Sequence, residues 1–150
     1  MVTIEEKLTL MELIAGYCLA SDNKDVQAHI AYYAEEGYIT GGMTTSPKKD
    51  AMAEELAEIF AMEGTLKRHL AMNHQFKKVG NEIHVDYLLL VVEGEQLPEV
   101  IATAMTHDEF IQEKGTWKIK LHRNVIDPAM FNLMKKWEEE GKAALDFNEG

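Results

Sequence analysis

The spacing of hydrophobic residues in this chain changes from one regular pattern to another near its middle. Up to about residue 64, apolar side chains recur every three or four positions, which is the period of an amphipathic helix. From residue 66 to residue 126 they mostly alternate with polar side chains, which is the period of a strand. The pattern therefore predicts helices first and a sheet afterwards.

The first helix is predicted over residues 4–20. Thr3 and Glu6 have the spacing of a capping box, in which a hydroxyl and a carboxylate satisfy two free amides at the helix start. The residues at alternating steps of four and three, predicted to form its buried face, are Ile4, Leu8, Met11, Ala15 and Cys18.

Two shorter helices are predicted after it. One passes through Val26, Ile30 and Tyr33 and ends at Gly37, before a short strand over residues 38–40 and a break at Gly41-Gly42. The other begins at Ser46-Pro47, because proline is favoured at the first helical position, and it ends at Gly64. Its apolar stripe is Met52, Leu56, Ile59 and Phe60.

Four strands are predicted over residues 66–79, 82–92, 100–113 and 117–126, with tight hairpins at Gly80-Asn81 and Lys114-Gly115. Asp127-Pro128 is predicted to start a last helix, and the tail from Gly141 is predicted to be frayed. The apolar positions of that helix are Phe131, Met134 and Trp137.

This order of elements predicts an α+β fold, in which helices cover one face of a curled antiparallel sheet. Such a sheet does not close on itself, so its covered concave side encloses a pocket that is open at one end. We expect one domain over residues 1–150, with a core over about 4–127 and a C-terminal helix over about 128–141.

Charge and composition exclude several classes of partner. The chain has 15 Lys and Arg against 26 Asp and Glu, a formal charge of -11, which repels nucleic-acid phosphates and anionic membrane surfaces. Its longest apolar run, residues 87–92, is too short to cross a bilayer. Cys18 is the single cysteine, so no intrachain disulfide forms, and the absence of a signal peptide predicts a cytoplasmic protein.

Four residues stand out as candidates for chemistry. Arg123 falls on the apolar face of the last strand, where a guanidinium needs a wet cavity, an ion-pair partner or a route out to solvent. His69 has a reference pKa near neutrality and Asn73 lies two steps on along the same face, so His69 is either a general base or a half-exposed histidine without a role. Asp22 is either a functional residue or the N-cap of the helix that follows it. Tyr17 is either a functional residue or an ordinary tyrosine of the core.

The remaining histidines are assigned no role, and no metal site is predicted. His69 and His74 lie on opposite faces of their strand, so they cannot chelate one ion. The sequence also contains no phosphate-binding loop and no motif for a serine or cysteine nucleophile.

Three segments together resemble a known family. They are YCLASD ending at Asp22, RHLAMN ending at Asn73, and GTWKI followed by His122-Arg123. In their order and spacing they are similar to SnoaL-like domains of the nuclear transport factor 2-like superfamily, which have a cone-shaped α+β barrel or cystatin-like roll. That group includes scytalone dehydratase, bile-acid dehydratase, lindane dehydrochlorinase, ketosteroid isomerases and polyketide cyclases.

The resemblance implies a division of roles among these residues. Asp22 would orient His69, His69 would remove a proton beside a leaving group, and Tyr17 would donate to a carbonyl or leaving oxygen. Arg123 would line the pocket, with Asn73 and Tyr38 as further substrate-binding residues, and no cofactor or metal would be needed. Several dehydratases carry a second pocket tyrosine where this chain has Gly41-Gly42, and Tyr38 is the nearest phenol.

The sequence thus predicts a cofactor-independent lyase or isomerase for a hydrophobic, cyclic carbonyl compound. The alternative is a non-catalytic binding or assembly domain, because transport factors and oxygenase β-subunits share the superfamily. A homodimer through the uncovered sheet face is also predicted, since that face includes Leu70, Met72 and Phe76.

Overall fold

The computed structural model describes residues 1–63 and 65–140, apart from the side chain of Trp137. The helices are α1 (Ile4–Asp22), α2 (Val26–Ala31), α3 (Met52–Glu63) and α4 (Pro128–Glu139), with a 3₁₀ turn at Lys49–Ala51. The strands are β1 (Tyr33–Gly41), β2 (Lys67–Val79), β3 (Glu82–Glu93), β4 (Val100–Glu113) and β5 (Thr116–Ile126). The predicted helix end at Gly64 and the predicted frayed tail from Gly141 lie outside the described residues.

The five strands form one sheet in the order β1-β5-β4-β3-β2. β2 to β5 are joined by antiparallel pairing, as predicted, but β1 pairs with β5 in parallel. The α+β fold with a curled, unclosed sheet is therefore confirmed, while the sheet is mixed rather than wholly antiparallel. β1 is also longer than predicted, because α2 ends at Ala31 and Tyr33 already belongs to the strand.

The two hairpins and the first helix cap agree with the sequence patterns. Gly80, Lys114 and Gly115 have positive φ angles of 59°, 51° and 80°, which tight hairpin turns require. Thr3 Oγ1 accepts from the amide of Glu6, and a carboxylate oxygen of Glu6 accepts from the amide of Thr3. Both features are local, and both are confirmed.

The predicted buried face of α1 is wrong except at Cys18, which is buried as expected. Ile4, Leu8 and Met11 are exposed, whereas the side toward the sheet consists of Leu10, Ile14, Tyr17, Cys18 and Ser21. The helix carries apolar residues on several sides, so more than one set fits the spacing of three and four.

The predicted start of α3 is also wrong. Ser46 has a φ angle of +69° and is not a helix cap, and the carbonyl of Pro47 accepts from the amide of Ile39. This segment therefore runs beside β1, and the helix starts at Met52. The predicted stripe of that helix is buried as expected: Met52, Leu56, Ile59 and Phe60.

A β-bulge in β2 changes which side chains face inward. Met72 pairs with Leu88 and Gln75 with Asp86, so Asn73 is the extra residue, with a φ angle of +61°. Beyond the bulge the alternation reverses. Phe76 consequently packs against the core, and its predicted place on the outer face is wrong.

A second β-bulge has the same effect in β5. Phe110 pairs with Ile119 and Glu109 with Leu121, which leaves Lys120 as the extra residue. After it, His122 turns inward and is buried, whereas Arg123 is exposed on the outside. The face assigned to Arg123 from strict alternation is therefore wrong.

Helices α1, α2 and α3 pack on the concave side of the sheet. Tyr33, Tyr87, Phe110, Leu10 and Ile14 are among the largest fully buried side chains, and they join α1, β1, β3 and β4 in one core. Asp127 precedes α4 as predicted, but its carboxylate makes no capping hydrogen bond. Among the described helices, none has the length and hydropathy needed to cross a bilayer.

The outer face of the sheet carries an apolar row across four neighbouring strands. Met72 pairs with Leu88, Leu88 with Met105, and Met105 with Val125, so the four side chains lie side by side. Met105 and Val125 are 47% and 56% exposed. An apolar strip of this kind on an uncovered sheet is typical of an interface.

We predict that the chain is a homodimer through this apolar row. Light scattering at micromolar concentration should give a dimer mass, and Met105→Glu should give a monomer because it places charge in the row. Leu8→Glu is the matched control, since Leu8 is 63% exposed but lies on α1. A monomer mass for the unaltered chain, or equal dissociation by both variants, would contradict the prediction.

Candidate active site

A cavity of about 400 Å³ lies between the helices and the concave face of the sheet. Most of its wall is apolar, and α3 and β3 contribute to it through residues such as Leu56, Phe60, Leu89 and Val91. The polar side chains that line it are Tyr17, Ser21, His29, Thr44, Glu63, Lys67, His69, Tyr87, His122 and Asn124. A mainly apolar cavity with a few polar groups is typical of a small-molecule site.

Asp22 and His69 are in direct contact at the edge of this cavity. Asp22 Oδ1 accepts from the backbone N–H of His69 at 3.0 Å and lies 2.7 Å from His69 Nδ1. The N-cap position before α2 is filled instead by Asp25, whose Oδ1 accepts from the amide of Ala28. The carboxylate of Asp22 is therefore free to hold the imidazole, and the predicted contact is present.

This contact fixes the orientation of the imidazole. When Nδ1–H donates to the carboxylate in the neutral ring, Nε2 carries the lone pair. Nε2 has no hydrogen-bond partner within residues 1–63 and 65–140, and the His69 side chain, 15% exposed, lines the cavity. The arrangement presents a basic nitrogen to whatever occupies the cavity.

Tyr17 lies deeper in the same cavity. Its hydroxyl is 3.0 Å from the hydroxyl of Tyr33, and both side chains are buried. Burial raises the pKa of Tyr17 well above its usual value, so the phenol stays protonated and can act only as a neutral hydrogen-bonding group. Tyr33, a phenol that the sequence patterns had placed in a helix, thus supports Tyr17.

A second histidine–aspartate pair, missed by the sequence analysis, lies behind Tyr17. Asp108 Oδ1 is 2.6 Å from His122 Nδ1, and Asp108 Oδ2 accepts from the hydroxyl of Tyr87 at 2.9 Å. His122 Nε2 is 3.0 Å from Asn124 Nδ2, an amide donor, so both ring nitrogens have partners. The bulge in β5 turns His122 inward, and strict alternation therefore could not find this pair.

His29 is a third histidine of the cavity wall, and only one of its nitrogens is paired. Nδ1 lies 3.0 Å from the hydroxyl of Ser21, while Nε2 is buried without a partner among the described residues. Burial, reinforced by the charges of His122 and His69, lowers the pKa of His29 to about 3. The ring is therefore neutral at ordinary pH.

Glu63 lines the cavity at the end of α3. Burial raises its pKa, and the charge of nearby His69 partly opposes that rise. A half-buried carboxyl with a raised pKa is a candidate proton donor. The residue lies outside every motif used in the sequence analysis, and no signal in the sequence pointed to it.

Three predicted substrate-binding residues lie outside the cavity. Asn73 and Arg123 are exposed, each displaced from the inner face by one of the two bulges. Tyr38 is 37% exposed on β1, where its outward position follows from the strand alternation that buries Ile39. The structure thus does not support contact of these three side chains with a ligand.

One group of possible metal ligands occurs in the part of the chain that the structure describes. His84, His107 and Glu109 each offer a ligand atom within 4.8 Å of the other two. The group lies on the outer face of the sheet, away from the Asp22–His69 contact.

Comparison with known proteins places this geometry in context. The family model of the SnoaL-like domain matches residues 2–123. No curated protein matches the chain.

Several solved structures have the same fold. A Nostoc punctiforme protein of unknown function with a cystatin-like fold is 27% identical, with a TM-score of 0.72 over 86% of this chain and 96% of its own. A candidate scytalone dehydratase from Novosphingobium aromaticivorans is 16% identical, with a TM-score of 0.70 over 83% and 85%. ActVI-ORFA from Streptomyces coelicolor is 14% identical, with a TM-score of 0.71 over 81% and 97%.

We predict that the buried pair of Asp108 and His122 contributes far more to stability than the exposed pair of Asp86 and His107. Asp108→Ala leaves the donors of Tyr87 and His122 unpaired, which should lower the free energy of unfolding by about 3 kcal/mol or more. Asp86→Ala is the control, because Asp86 also lies 2.7 Å from a histidine, His107, but is 60% exposed, and it should cost below about 1 kcal/mol. Urea unfolding measures both, and equal losses would contradict the prediction.

We also predict that His29 makes stability depend on pH. In the unfolded chain His29 titrates near 6.5, whereas in the folded chain it takes up a proton only near pH 3. The unfolded state therefore binds more protons between these values, and the free energy of unfolding falls as pH decreases, by up to about 1.4 kcal/mol per pH unit.

His29→Leu should remove most of this slope between about pH 6.5 and 5, above the range in which Glu82 and Glu93 titrate. The pKa of His74 is also lowered by burial, so His74 should leave a smaller slope of the same sign. The raised pKa of Glu63 contributes a slope of the opposite sign. Urea unfolding at several pH values measures the slope. An unchanged slope in the variant would refute the assignment.

Proposed function

The chain belongs to the SnoaL-like domain family, and on that basis we propose that it is a cofactor-independent lyase or isomerase for a hydrophobic carbonyl compound. The observation that carries the proposal is the hydrogen bond between Asp22 and His69 Nδ1 at the edge of an apolar cavity. This bond leaves His69 Nε2 available as a base. A second imidazole in the cavity, that of His122, has both nitrogens engaged and does not compete for the role.

The first step is removal of a proton from carbon. His69 Nε2 takes the proton from a carbon next to a carbonyl, and the electron pair of the broken C–H bond moves into the substrate as an enolate. The imidazolium that forms is stabilised by the carboxylate of Asp22. The apolar wall strengthens this charge interaction because it keeps water away.

The second step decides between a lyase and an isomerase. In elimination the electron pair forms a carbon–carbon double bond, and the neighbouring hydroxyl leaves as water after it receives a proton. In isomerisation the imidazolium returns its proton to a different carbon. Tyr17 is a neutral donor for the developing negative oxygen in both cases, and Glu63 is a candidate donor to the leaving hydroxyl.

The cavity restricts the class of substrate. Its volume of about 400 Å³ lies in the range that encloses a compound of drug-like size, and its wall is mainly apolar. Among the described lining residues the cationic side chain is Lys67, and its Nζ already lies 2.7 Å from Glu93 Oε2, so a neutral compound with a carbonyl and a hydroxyl is favoured over a polyanion. Cyclic polyketides, steroids and aromatic hydroxy-carbonyl compounds have these properties.

A binding-only role is the second candidate, and one observation favours it. Arg123, Asn73 and Tyr38, which were predicted to hold the substrate, all lie outside the cavity. What remains is a mostly apolar space, which suits retention of a hydrophobic ligand without turnover. The two roles differ in whether a substrate proton exchanges with solvent.

We predict that the protein exchanges or eliminates at an acidic C–H of its substrate, and that His69 is required. Compounds of the three classes named above are incubated with it in D₂O, and mass spectrometry follows deuterium uptake and loss of water. His69→Gln should lower the rate by about 10²–10⁴-fold, the usual contribution of an acid–base group, with the fold retained.

His107→Gln is the matched control, because His107 also contacts an aspartate, Asp86, but lies on the outer face. It should leave the rate within about twofold, as expected for a group outside the acid–base machinery. Equal losses in both variants would indicate a general effect on stability and remove the assignment. Ligand binding without deuterium uptake would instead identify a binding domain.

A further inference from the structure

A group of ionisable side chains on the outer face of the sheet has no part in the proposed reaction. His84 on β3 pairs across the ladder with Glu109 on β4, and the next inter-strand pair on that face is Asp86 with His107. One ligand atom each of His84, His107 and Glu109 lies within 4.8 Å of the other two. Their side chains are 19%, 20% and 20% exposed in a single copy of the chain.

Each of the two histidines already has one ring nitrogen on a carboxylate. Asp86 Oδ1 lies 2.7 Å from His107 Nδ1, and Glu82 Oε2 lies 3.1 Å from His84 Nε2. When these nitrogens carry the proton, the other nitrogen of each ring presents its lone pair. Carboxylates orient metal-binding histidines in the same way, by fixing the tautomer and raising the basicity of the ligand nitrogen.

The spacing of the ligand atoms is close to that around a small cation. His107 Nε2 and Glu109 Oε1 are 3.6 Å apart, which is too long for a good hydrogen bond. Two ligands at about 2.0–2.1 Å from a tetrahedral ion are separated by roughly 3.3 Å. Small rotations of side chains that are fixed on paired strands would therefore bring them into place.

From this geometry we infer that His84, His107 and Glu109 form a site for a first-row transition-metal dication, on the outer face beside the apolar row predicted to form the dimer interface. Two imidazole nitrogens and one carboxylate oxygen are a ligand set that Zn²⁺ accepts, with water completing the shell. The formal charge of -11 on the chain adds a general attraction for cations. The site is separate from the cavity and does not depend on the reaction proposed there.

The ammonium group of Lys120 competes with a metal ion for the carboxylate of Glu109. Its Nζ lies 2.8 Å from Glu82 Oε1 and 3.2 Å from Glu109 Oε2, so an ammonium already offsets part of the negative charge. Arg123, which pairs with His107 across the ladder, is exposed and adds a second positive charge nearby. A dication therefore binds against these charges, and removal of Lys120 tightens its binding.

The test uses Co²⁺ as a spectroscopic probe of the full chain, followed by displacement with Zn²⁺. The unaltered protein should give a saturable visible absorption that one equivalent of Zn²⁺ abolishes. His107→Ala should abolish the absorption, and Asp86→Asn, which keeps the ligands, should weaken binding by about 10–100-fold. Circular dichroism checks that each variant is folded. If His107→Ala does not fold, Asp86→Asn alone provides the test.

Lys120→Met should tighten Co²⁺ binding several-fold, whereas Lys118→Met should not change it. The second variant removes the same charge from the same strand, but Lys118 donates to the carbonyl of Ala31 and does not contact the group. No saturable absorption in the unaltered protein would overturn the inference. Equal affinity in the unaltered protein and in folded Asp86→Asn or His107→Ala would overturn it as well.

Discussion

The contact between Asp22 and His69 is the interaction on which the rest of the site depends. It joins the last residue of α1 to β2 across 47 positions of sequence, through two hydrogen bonds to one carboxylate oxygen. A carboxylate whose side chain is 3% exposed would be costly to bury without such partners. The same bonds therefore hold α1 against the sheet and orient the imidazole. The packing of α1 and the orientation of the base cannot change independently.

Three histidine–aspartate pairs in this chain have nearly the same geometry but different surroundings. The distances are 2.7 Å for His69 with Asp22, 2.6 Å for His122 with Asp108, and 2.7 Å for His107 with Asp86. The second is fully buried with all its partners satisfied, the third lies on the outer face, and only the first presents a free nitrogen to the cavity. Environment, rather than the pair itself, distinguishes a structural role from a chemical one.

Sequence patterns predicted β2 to β5 to within one residue at each end, because a period of two and the positive-φ turns at Gly80 and Gly115 are local properties. They placed β1 over residues 38–40 only, whereas that strand already begins at Tyr33. Asp22 and His69 were found through the family resemblance, since nothing local connects a helix end to a strand. His122 was missed and Arg123 was misplaced for one physical reason. A single extra residue at Lys120 reverses the alternation, and its cause lies in the pairing of β5 with β4 rather than in the composition of β5.

The bulges at Asn73 and Lys120 also suggest how a scaffold of this kind acquires new ligands. Each lies partway along a strand whose later residues contribute side chains to the interior: Phe76 after the first, His122 and Asn124 after the second. Loss or gain of one codon at such a point exchanges the whole downstream set at once, whereas point substitutions change it one side chain at a time. Divergence of specificity could then proceed through short insertions and deletions, and alignments of distant homologues without gaps at these positions would pair residues from opposite faces.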